Sequence, residues 1–106
     1  MFLKINLFYM ANICENTMYV SSPNKKSLQQ IHEFMNDWGN ATLEEIDENS
    51  FEYYFDSRWD FPKEAMQEMT DSIKDTEGLY IRVLSVEECN YYAVFNVFED
   101  GVWITK

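Results

Sequence analysis

Residues 51–73, Phe-Glu-Tyr-Tyr-Phe-Asp-Ser-Arg-Trp-Asp-Phe-Pro-Lys-Glu-Ala-Met-Gln-Glu-Met-Thr-Asp-Ser-Ile, change their hydrophobic period part-way along. From Phe51 to Trp59 the spacing is two: Phe51, Tyr53 and Phe55 share one face of a strand, and Glu52, Tyr54, Asp56 and Arg58 share the other. After Asp60, Ala65, Met66, Met69 and Ile73 recur at helical spacing, with Asp60 placed to cap the helix and Pro62 near its start. A strand that runs directly into an amphipathic helix, with the apolar side of each needing cover, predicts a helix packed on a sheet.

The rest of the chain extends this unit in both directions. Upstream, residues 41–48 (ATLEEIDE) read as a short polar edge strand joined to the strand at Phe51 by a turn at Asn49-Ser50. Before them, Leu28, Ile31, Phe34, Met35 and Trp38 form the stripe of a first helix, with Ser22 as its cap, Pro23 at its first position and Gly39 as its stop. The first strand covers residues 11–20, where Cys14, Asn16, Met18 and Val20 alternate with Ile13, Glu15, Thr17 and Tyr19. Downstream, the second helix ends before Gly78, and Leu79–Val86, Tyr91–Phe98 and Val102–Thr105 read as strands, the last two joined by Glu99-Asp100-Gly101. The order β-α-β-β-α-β plus C-terminal strands is an α+β plan, the ferredoxin-like split βαβ sandwich, with two helices on one face of an antiparallel sheet. The expected domain is residues 10–106, with 1–9 an N-terminal extension or edge strand; Met10 is an alternative start.

Composition bounds the function. With 106 residues there is room for one core, and 46% hydrophobic residues with 17% aromatics are those of a packed globule. Nineteen Asp and Glu against eight Lys and Arg give a net charge of −11, which repels phosphate backbones and anionic lipid. Direct binding of nucleic acid or membrane is therefore disfavoured, and a basic protein surface is the partner such a field attracts. The two cysteines, Cys14 and Cys89, stand far apart outside any CxxC pattern, so neither a disulfide framework nor a zinc site is expected and a cytoplasmic, reducing setting suits them. The apolar run Met1–Tyr9 is interrupted by Lys4 and Asn6, too short to span a bilayer and without a cleavage site.

Two segments carry a family resemblance. Asn12-Ile13-Cys14-Glu15-Asn16, followed by alternating apolar residues, is similar to an opening that reads Asn-Trp-Cys-x-Asn in the YubB-like family. Phe55-Asp56-Ser57-Arg58-Trp59-Asp60-Phe61-Pro62 resembles that family's strand-to-helix segment with its aromatic, small hydroxyl, Trp and Pro. Ile13 stands where the family opening has Trp. The resemblance implies a ferredoxin-like fold and a cytoplasmic protein of a bacterium, phage or mobile element. No catalytic residue carries over with it. Read for themselves, Asn12 and Asn16 are placed to bond backbone where the first strand begins, and Trp59 to pack over the start of the second helix, so that Trp59→Ala is expected to report on folding.

No catalytic constellation is visible. His32, the only histidine, flanks the stripe of the first helix, Cys14 falls on the inward side of its strand, and the pairs Glu44/Glu45 and Glu87/Glu88 point to opposite faces of their strands. No Gly-rich phosphate loop or metal-ligand spacing occurs, so neither cofactor nor metal is expected. The outward sheet face instead collects Ile13, Glu15, Thr17, Tyr19, Glu52, Tyr54, Asp56, Arg58, Tyr80 and Arg82. Three uses of it remain open at this level. The first is docking on a basic protein, such as a nucleic-acid-binding complex, in the manner of an anti-defence, anti-CRISPR-like nucleic-acid mimic. The second is a small-ligand or nucleotide site anchored on Arg58 and Arg82. The third is self-association, as a homodimer through edge strands or this face, with Arg58 and Arg82 paired to nearby carboxylates.

Overall fold

The computed structural model describes residues 13–88 and 91–106. Segment 1–9, the Met10 start, Asn12 and Cys89 lie outside the described residues. In chain order the elements are β1 (Ile13–Ser21), α1 (Lys25–Trp38), β2 (Thr42–Asp47), β3 (Ser50–Arg58), α2 (Lys63–Asp71), β4 (Tyr80–Glu87), β5 (Tyr92–Glu99) and β6 (Val102–Thr105). The six strands make one open antiparallel sheet in the order β2-β3-β1-β4-β5-β6. β3 lies between the strands that α1 connects, and β1 between those that α2 connects. The C-terminal strands thus widen the sheet from β4 outward instead of folding over it.

One face carries the core. Met18 and Val20 of β1, Phe51, Tyr53 and Phe55 of β3, and Ile81 and Val83 of β4 meet Leu28, Ile31 and Met35 of α1 and Met66 and Met69 of α2. Burying each large apolar side chain here contributes roughly 1.5–3 kcal/mol. Phe98 of β5 is buried in the same core, and Trp103 of β6 packs against it.

The helix starts differ from expectation. Asn24, not Ser22, caps α1: its side-chain oxygen accepts from the backbone N–H of Lys26 at 2.9 Å and of Ser27 at 3.3 Å. The Ser22 hydroxyl accepts instead from the N–H of Asn24 at 3.0 Å, so it organises the turn before the cap and leaves Pro23 outside the helix. α2 has no side-chain cap, and Pro62 holds its capping position in place of Asp60. The cause is the path between β3 and α2, where Asp60 N–H bonds back to Arg58 C=O at 2.8 Å across Trp59. Trp59 there takes φ +72°, a tight three-residue turn that is strained for any side chain larger than hydrogen.

That turn also overturns the packing expected of Trp59, which is 55% exposed. The aromatic that does pack beside the start of α2 is Phe61. α2 ends at Asp71, well before Gly78, yet Ile73 beyond its end stays buried. Gly78 is required where it stands: its φ is +75°, and a Cβ would meet the Pro23 ring at 3.0 Å.

Candidate functional site

Alternation in β1, β3 and β4 turns Glu15, Thr17, Tyr19, Glu52, Tyr54, Asp56, Arg58, Tyr80 and Arg82 away from the helices, and the register brings them together. Glu15 pairs with Asp56, Thr17 with Tyr54, and Tyr19 lies between Glu52 on one side and Arg82 on the other. Every one of these side chains is half-buried or exposed.

The face divides into two halves. Across β2, β3 and β1 it is acidic and contains two like-charge cross-strand pairs, Glu15 with Asp56 and Glu44 with Glu52. Like charges directly opposite one another destabilise a sheet. Tyr54 bridges the second pair, its hydroxyl donating to Glu52 Oε1 at 2.6 Å and lying 3.3 Å from Glu44 Oε2. The hydrogen bond to Glu52, first among several causes, pushes the phenol pKa up to about 12.

Across β4, β5 and β6 the same face is apolar. Leu84 and Val86 of β4 lie beside Phe95 and Ala93 of β5, and Val97 of β5 beside Ile104 of β6. Leu84, Val102 and Ile104 are 45%, 54% and 49% exposed, with Glu99 opposite Val102 at the edge of this half. These positions were missed by the sequence reading. Their signal was present in Tyr80–Glu87 and Tyr92–Glu99, which carry apolar residues on both alternating sets, as strands do when neither face is meant for water.

Between the halves sits an aromatic and cationic ridge. The Arg82 guanidinium carbon lies 4.2 Å from the Tyr19 ring centroid and 6.0 Å from that of Tyr80, and the two rings meet edge to face at 6.3 Å. Arg58 pairs with Ile13, six positions along β1 from Tyr19 and Arg82. At about 3.4 Å per residue the two arginines are about 20 Å apart and cannot clamp one small anion.

The remaining motif residues are internal. Cys14 and Asn16 are buried on the helix side. The Asn16 amide donates to Ser57 Oγ at 2.9 Å and to Phe55 C=O at 3.2 Å, and its oxygen accepts from Ser85 Oγ at 2.7 Å. Burial, first among its causes, raises the Cys14 pKa, so the thiol is held protonated and unreactive. Glu87 is buried at the same end of the sheet, in contrast to a solvated carboxylate. His32 bonds through Nδ1 to the Tyr53 hydroxyl at 2.7 Å, with burial lowering its pKa. Among the described residues, no three His, Cys, Asp or Glu side chains gather closely enough to hold a metal ion, and no helix is long and apolar enough to cross a membrane.

Compared with protein-family models, curated proteins and solved structures, the chain matches none.

Proposed function

We propose that this chain is a non-catalytic, acidic protein-binding module whose sheet face docks on a basic protein surface. The observation that carries the reading is the like-charge cross-strand pairs Glu15/Asp56 and Glu44/Glu52, the second only bridged by Tyr54, set beside exposed aliphatic residues on the same face. A cationic partner relieves the repulsion, and covering Leu84, Val102 and Ile104 supplies apolar burial, so one surface gains from both terms at once. The interleaved strand order supports the ferredoxin-like split βαβ plan, the fold that the resemblance to YubB-like chains implies. In that setting the basic partner is a nucleic-acid-binding complex of a host, blocked at its nucleic-acid groove in the anti-CRISPR-like manner.

The test is affinity capture from bacterial lysate with the wild type, a charge-reversed face (Glu15→Lys with Asp56→Lys), an aliphatic variant (Leu84→Asp) and a helix-side control (Glu64→Lys with Glu68→Lys). The expected result is a basic protein released by salt, lost with both face variants and kept by the control. Capture that ignores the face variants, or a wild type that only pairs with itself in solution, refutes the reading.

A further inference from the structure

On the helix side of the sheet, away from the proposed docking face, a cavity of about 240 Å³ opens between the start of α2 and strands β5 and β6. Its walls are aromatic: Phe61, Tyr92 and Trp103, the rings of Phe61 and Trp103 lying 5.5 Å apart and inclined by 59°. The walls are held in place. Trp103 Nε1 donates to Thr70 Oγ1 at 3.1 Å, and the N–H of Phe61 points to the Tyr92 hydroxyl at 3.5 Å.

Asn96 supplies the polar end. It is only 6% exposed, and its Oδ1 accepts from Thr105 Oγ1 at 2.7 Å. That bond orients the amide and turns its Nδ2 into the cavity, where it is not sealed off as a buried unsatisfied donor and is open to a ligand. Thr105, its proton committed to Asn96, has lone pairs left to accept. An unused N–H donor thus stands beside an unused acceptor, both lining an aromatic slot.

We propose that this cavity binds a small planar heterocycle with adjacent C=O and N–H on one edge, of the uracil class. Asn96 Nδ2 donates to the ring carbonyl, the ring N–H donates to Thr105 Oγ1, and the aromatic walls flank the ring. The volume suits a single ring: it exceeds the roughly 150 Å³ that holds benzene in an engineered cavity and is below the roughly 300–1,000 Å³ of drug-sized sites. The rim carries one positive and one negative residue, Lys63 and Asp60, on a chain of net charge −11, which favours a free base or nucleoside over a nucleotide.

The test uses the full chain, ¹⁵N-labelled, titrated with uracil, 1,3-dimethyluracil, toluene and UMP. Uracil up to about 10 mM, the weak end for so small a ligand, is expected to shift the Asn96 side-chain amide and the Trp103 indole N–H saturably. Dimethyluracil, UMP and toluene are expected to bind at least about tenfold more weakly. Asn96→Asp keeps the acceptor for Thr105 and replaces the free donor, and is expected to abolish the shifts. Thr105→Val, on an exposed edge strand, is expected to weaken them about tenfold and decides the matter should Asn96→Asp fail to fold. Absence of a saturable uracil shift, toluene binding as tightly as uracil, or folded variants that bind like the wild type overturns the proposal. None of these outcomes bears on the docking face, whose variants are separate.

Discussion

Replacing Asn16 by leucine keeps the branched shape of the side chain, at a larger volume, and removes a buried hub. Asn16 is 2% exposed and joins three strands: β1, which carries it, β3 through Phe55 C=O and Ser57 Oγ, and β4 through Ser85 Oγ. Three cross-strand hydrogen bonds at a net contribution of about 1 kcal/mol each are lost, along with two longer contacts to Cys14. Ser85 is fully buried, and its hydroxyl loses the acceptor it now uses, an orphaning that costs about 1–3 kcal/mol. Ser57 suffers less, because its hydroxyl also donates to Asp60 C=O at 2.7 Å. The added apolar contact of leucine offsets part of this, so Asn16→Leu is expected to lose about 3 kcal/mol, a large share of the roughly 5–15 kcal/mol that holds a domain together. Urea unfolding followed by circular dichroism should register it as a midpoint lowered by roughly 1–3 M, at a slope of about 1–3 kcal/mol per molar. The double variant Asn16→Leu/Ser85→Ala removes the orphaned hydroxyl and should therefore be less destabilised than the sum of the two singles. A loss under about 1 kcal/mol for Asn16→Leu, or strict additivity in the double variant, refutes the hub.

Trp59→Gly should cost no stability and raise the unfolding midpoint slightly, because relief of the strained φ of +72° outweighs an exposed ring, whereas a buried Trp would cost about 3–5 kcal/mol in the same assay. Gly78→Ala should destabilise by about 1–3 kcal/mol, since the positive φ and the rigid Pro23 ring leave the methyl nowhere to go. Burial lowers the folded pKa of His32 below its usual 6.5, so the neutral form, hydrogen-bonded to Tyr53, is the stabilising one. That contribution is full above pH 6.5 and is lost as pH falls through the folded pKa. Proton NMR of the His32 ring should report the low value, and His32→Gln should remove this part of the pH dependence of the urea midpoint.

Order and face were legible in the chain itself. Alternation at Cys14, Asn16, Met18 and Val20 and at Phe51, Tyr53 and Phe55, and helical spacing at Leu28, Ile31 and Met35, are local patterns, and each of these residues is buried where its period places it. The turn between β5 and β6 belongs to the same class, for Asp100 and Gly101 both take the positive φ that a two-residue Asp-Gly hairpin needs. The helix caps were less legible: Ser22 and Asn24 compete at the start of α1, and at α2 the path of the preceding turn puts Pro62 where Asp60 was expected.

What the chain alone determined, then, is the succession of elements, the side of each that must be buried and the acidic sign of the surface, because these follow from periodicity and composition along a few neighbouring residues. Only the tertiary structure decided that β5 and β6 widen the sheet, leaving an aliphatic half beside the acidic one, that Arg58 and Arg82 stand apart, and that Phe61, Tyr92, Asn96 and Trp103 enclose a cavity. These depend on register and strand order, which arise from contacts between residues dozens of positions apart, and no local period encodes them.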